Sequence, residues 1–186
     1  MNYQQLLIND VDQWNQWRQQ HAFVPIDLSG IDLSGAYLFE VNLSGVTLTG
    51  ANLQRACLIG ADLSGATLVG ANLRGAYASD ACFQCADLRR ARLSGSRFRS
   101  ADLSYADLSG TETVGADFSQ ANLVGTCLVR SSPTMPYLVG KQLLPKMILV
   151  EPQRPRFSRA RGAARRCLPV AVQKVSFYPQ IMQSAA

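Results

Sequence analysis

From Leu28 to Leu128 a large apolar side chain returns at every fifth residue. Nineteen of these 21 slots hold Leu or Phe, and only Ala78 and Thr113 depart, so the period is a structural constraint. Two residues before each slot stands a small or β-branched residue, as in Ala51, Ala56, Ala61, Ala66, Ala71 and Ala76. The residue before the slot is often Asp or Asn, the one after it Ser, and the next Gly, as in Asp62-Leu63-Ser64-Gly65. A period of five matches neither the 3.6 of a helix nor the 2.0 of a flat strand. It matches a chain that turns a corner every five residues, and four corners close a square coil of 20. Stacked coils would pair backbone to backbone about 4.8 Å apart. The slot side chains and the small residue then point inward, and the other three positions face water. Gly and Asn/Asp are expected at the corners, where the backbone is tight.

This pattern resembles the pentapeptide-repeat protein family, whose consensus is A-(D/N)-L-x-x. The match runs over residues 26–130 without a register break. The resemblance implies an all-β repeat solenoid: a right-handed quadrilateral β-helix of about five coils, roughly 24 Å long. The two exceptions fit it. Ala78 shares a coil with Phe83 and lies one coil below Phe98, and Thr113 shares a coil with Phe118, so core volume is kept.

A β-helix exposes core and strand edges at its ends and needs caps. Residues 10–20 read as a short amphipathic helix: Asp10 and Gln13 suit a capping box, and Val11, Trp14 and Trp17 or Arg18 follow helical spacing. The expected organisation is a helical cap over 1–25, with both Trp over the first coil, a β-helix over 26–130, and a Pro/Arg-rich, irregular and partly disordered segment over 131–186. Seven of the eight Pro lie in that last segment. Within it, Leu143-Leu144 and Met147–Val150 would pack on the last coil or form a short strand.

Charge divides the same way. Residues 1–25 carry one basic and two acidic groups, 26–130 eight and ten, and 131–186 nine and one, or −1, −2 and +8, giving the overall +5. The basic character therefore belongs to the tail. Arg154, Arg156, Arg159, Arg161, Arg165 and Arg166 are candidates for binding nucleic acid or an anionic surface. Inside the repeat, adding 20 moves one coil onward, which sets Glu112 beside Arg92 and Asp117 beside Arg97 as ladder ion pairs. Arg89, Arg90 and Arg99 find no partner by that rule and are further anion-binding candidates.

The same projection gathers apolar residues at outward positions of one face. Tyr37, Phe39, Ile59 and Tyr77 form a candidate protein-docking patch, with Cys57 between the tyrosines. Little else suggests chemistry. A single histidine, His21, excludes His-pair zinc sites and reads as a linker or cap residue. Cys82-Phe83-Gln84-Cys85 is a lone C-x-x-C, whereas a zinc site needs further ligands. The periodic Asp, Asn and Ser belong to the repeat and single out no catalytic group, so no enzyme activity, metal or cofactor is expected. The odd, scattered set of five cysteines, without a signal-peptide pattern or an apolar run of membrane-spanning length, points to a cytoplasmic protein.

Three roles follow. The first is a non-enzymatic scaffold docking an unidentified protein partner on a β-helix face. The second is binding of nucleic acid or an anionic surface through the tail. The third comes from the resemblance alone: some members of the family protect DNA gyrase as strongly acidic DNA mimics. This sequence departs from them in its mixed rod charge, its lack of an inserted long loop and its basic, Pro-broken tail. Oligomeric state is left open.

Overall fold

The computed structural model describes residues 3–128. The expectations for 131–186, including the six tail arginines and Leu143–Val150, lie outside the described residues.

The repeat is a four-sided coil, and one residue of each side bridges in parallel to the residue 20 further on. Asp27, Thr47, Thr67, Asp87, Asp107 and Cys127 define the first face, and Asp32 through Glu112 the second. Tyr37, Cys57, Tyr77, Arg97 and Asp117 define the third, and Asn42 through Asn122 the fourth. These are isolated bridges, because only one residue per side is extended between successive turns.

One repeat shows how five residues satisfy five N–H groups. The Asp62 N–H donates to Val41 O in the coil below, while Leu63 and Gly65 donate to Cys82 O and Gln84 O in the coil above. The Ala66 N–H closes the turn onto Leu63 O at 3.1 Å. The fifth donor, the Ser64 N–H, points away from both neighbouring coils, and Asp62 Oδ1 accepts it at 2.9 Å. A side-chain acceptor before the slot completes the accounting that buried backbone demands. The expectation that Asp/Asn stand at corners is thus corrected: they occupy the bridging position, and their side chains reach into the turn. The corner itself is the second residue after the slot. It has positive φ throughout, as the third residue of a type II turn requires, so Gly65 at +62° is the favoured residue type. Glu40, Arg55, Asp80, Cys85, Arg90, Ser100, Tyr105 and Gln120 adopt it without that freedom.

Every slot from Leu28 to Leu123 is buried. Ala78 leaves room that aromatic rings use: Phe98 meets Phe83 edge-on at 5.2 Å and stacks on Phe118 at 5.1 Å. The smaller Thr113 is buried with its hydroxyl unpartnered.

Two helices close the N-terminal end, α1 (Tyr3–Asn9) and α2 (Val11–Gln20). The expected helix is α2, N-capped by Asp10, whose carboxylate accepts the Gln13 N–H at 2.8 Å. Helix α1 was not expected, although Tyr3, Leu6 and Leu7 at helical spacing were a usable signal. Leu7 and Trp14 are fully buried on the first coil, while Trp17 is half-buried and stacks on His21 at 4.5 Å. The first coil has no coil beneath it, so its backbone edge needs other partners. Trp14 Nε1 donates to Asn42 O at 2.8 Å, Asn15 accepts the Asn42 N–H and donates to Glu40 O, and Gln4 donates to Asp32 O. By the repeat rule the Ser44 carbonyl would accept from residue 25, a proline with no N–H; Arg18 Nη2 supplies the donor at 2.7 Å. Arg18 is buried, and burial lowers its pKa against the opposing attraction of Asp62.

Candidate docking face and basic residues

The bridge Tyr37–Cys57–Tyr77 sets the three residues in one column of the third face. Phe39 and Ile59 follow them two residues later in a parallel column. The slot residues between them are buried, which forces these side chains outward. Tyr37 is 82% exposed, Phe39 52% and Tyr77 41%, and Ile59 is half-buried. All four predicted docking residues therefore share a face, spread over three coils. The patch extends onto the cap: Ile8 of α1, 49% exposed, lines an open groove of about 360 Å³ together with Gln4 and Tyr37. Without α1 in view, Ile8 could not be assigned to it.

The arginines sort differently from the sequence reading. Arg89 is not partnerless: its guanidinium makes a two-pronged contact with Asp87 at 2.7 and 2.6 Å, and Asp107 lies 4.0 Å away. Adding 20 reaches only the next coil, whereas this partner stands two residues back in the same one. The Asp87 hydrogen bond holds the Arg89 pKa up. Arg92 does face Glu112, at 3.9 Å, but the closer partner of Glu112 is Arg74 at 2.7 Å. Arg97 does not pair with Asp117. It lies over the Tyr77 ring, 5.0 Å from its centre, a cation–π contact. Asp117 instead accepts from the hydroxyl and the N–H of Ser119, which hold its pKa down, with help from Arg99 and Arg97. The side chains of Arg90 and Arg99 make no hydrogen bond or ion pair among the described residues, and they stand on different faces. Arg90 is a corner residue whose stem passes the open Gly110 corner, and Arg99 is on the third face beside Arg97.

The remaining candidates stay apart. Cys82 is a free thiol, so the C-x-x-C is not closed on itself, and burial pushes that thiol's pKa up. Among the described residues no three His, Cys, Asp or Glu gather as a metal site, and no helix is long and apolar enough to cross a membrane. His21 caps α2, its N–H bonding Trp17 O and Arg18 O.

A family model for pentapeptide repeats matches residues 26–55, 56–95 and 96–132. The chain belongs to the pentapeptide-repeat family. Its fold is accordingly the right-handed quadrilateral β-helix of that family. Solved pentapeptide-repeat structures similar to it include a protein of the Arabidopsis thaliana thylakoid lumen, 30% identical over 57% of this chain and 71% of that one (TM-score 0.29). HetL of the cyanobacterium Nostoc, involved in heterocyst differentiation regulation, is 28% identical over 57% and 67% (TM-score 0.25). QnrB1, a plasmid-mediated fluoroquinolone resistance protein, is 20% identical over 59% and 71% (TM-score 0.35). No curated protein matches the sequence.

Proposed function

We propose that this pentapeptide-repeat protein is a non-enzymatic scaffold that docks a protein partner on the third face of its β-helix. The observation that carries the reading is the exposure of Tyr37, Phe39 and Tyr77 on one flat face whose own core is already filled. Apolar side chains at fixed spacing on a rigid backbone suit recognition, because little ordering is required on binding. The rod is a weaker fit to a DNA mimic, since its net charge is only −2 and Arg97 and Arg99 interrupt the third face.

A second reading rests on the +8 charge of residues 131–186: the rod carries a tail that binds nucleic acid or an anionic surface. Paired capture from cell extract separates the two. The baits are the full chain, a chain ending at Pro133, and full-length Tyr37→Ser/Phe39→Ser, with high-salt washes and nuclease. A partner held by the first two baits at high salt and lost by the third supports docking. Material held only by baits carrying the tail, and released by salt or nuclease, refutes it in favour of the tail.

A further inference from the structure

Resting on the docking reading, we infer that the partner segment bound by the third face is apolar along its length and acidic at the end lying over the fourth coil. The two columns of this face change character together. Tyr37, Cys57 and Tyr77 are followed by Arg97, and Phe39 and Ile59 lead through Ser79 to Arg99. Three coils of mainly apolar surface thus end on two adjacent guanidinium groups, over roughly 14 Å of rod.

These cations differ from the three paired arginines, and from Arg55 and Arg90, which stand at corners rather than in the two columns. Arg74, Arg89 and Arg92 are engaged by Glu112, Asp87 and Asp107. Arg97 is held over Tyr77 instead, which fixes the group while leaving its N–H donors unspent. The Arg99 guanidinium has no hydrogen bond or ion pair among the described residues. Asp117, the acid next along the face, has its carboxylate engaged by Ser119 and lies within 4.0 Å of neither guanidinium. A partner that buried the apolar columns without bringing carboxylates would desolvate two cations that have no ion-pair partner of their own. Glu40 and Asp80 stand at the corners along one long edge of the patch, so partner acids are favoured at the coil-four end and not along that edge. The face therefore selects orientation as well as composition.

Two synthetic peptides test this on the full chain: alternating tyrosine and valine ending in three glutamates, and the same ending in three lysines. Binding is read by fluorescence anisotropy at moderate salt. The glutamate-ended peptide should bind at least about tenfold more tightly, and Arg97→Glu/Arg99→Glu should erase or invert that preference in a chain that circular dichroism shows to be still folded. Tyr37→Ser/Ile59→Ser should weaken both peptides. If the serine variant weakens both but charge reversal changes nothing, the face docks without acid selection and the inference falls alone. If neither variant alters binding, the peptides bind elsewhere, and both the inference and the docking reading fail.

Discussion

Leu63→Asp is the sharpest test of the inward column. Leu63 is fully buried in the fourth-face stack between Leu43 and Phe83, with its N–H tied to Cys82 O at 2.7 Å. Loss of the leucine contacts alone costs about 3–5 kcal/mol, by analogy with buried leucine truncations. The new carboxyl has no partner in the stack, so it folds in its neutral form. Holding it neutral at pH 7, about three units above an ordinary Asp pKa, adds about 4 kcal/mol. The total, about 7–9 kcal/mol, rivals the whole stability of an ordinary domain. The carboxyl's folded-state pKa lies above its unfolded one, so the folded form binds the extra proton and the penalty shrinks as pH falls towards about 4. Urea unfolding followed by circular dichroism, for parent, Leu63→Asp and Leu63→Asn at pH 7 and pH 4.5, measures this. The expected result is near-complete unfolding of the Asp variant at pH 7, and a smaller deficit relative to the parent at pH 4.5. The Asn variant should show no such relief. An Asp variant with the parent's urea midpoint and slope at pH 7 would refute the register.

Arg18→Ala removes the donor to Ser44 O and should cost about 1.5–3 kcal/mol, read as a lower urea midpoint. At Gly65, with φ at +62° and open space around its missing Cβ, Gly65→Ala should cost about 1–2 kcal/mol from backbone strain alone. Ser100→Gly, at φ +59°, should instead be neutral or stabilising in the same assay. Asp117 has its folded pKa depressed chiefly by the Ser119 hydroxyl, so its stabilisation is complete above the unfolded value near about 3.9 and is lost as pH falls through the folded value. Ser119→Ala should therefore move the acid-unfolding midpoint to higher pH, seen in a circular dichroism titration.

The coil was legible because its period has one physical reading, and Leu63 and Ala61 occupy the inward places the spacing assigned them. The docking columns followed from the same arithmetic, since adding 20 places Phe39 beside Ile59. Ion pairing did not follow. A guanidinium spans several ångströms, so Arg89 could turn back to Asp87 and Arg74 could cross to Glu112, choices set by rotamers and not by register. The role of Asp62 was not legible: its periodicity was plain, but the spacing put it at a corner, and its place on the side follows from the Ser64 N–H, which lacks a coil partner. Arg18 was visible as a helical position, but the need it meets depends on Pro25 lacking an N–H in the first coil's backbone pattern.

The side chains of α1 and α2 that occupy the first coil's backbone edge have a further consequence. That edge is a ready template for a strand from another chain, and Gln4, Trp14, Asn15 and Arg18 fill it with groups that cannot propagate a ladder. The cap therefore acts as a chain terminator for end-on growth. A lesion that peeled it away would present a fibril-nucleating surface from an otherwise intact rod, and the hazard would rise with protein concentration even where the coils themselves remained folded.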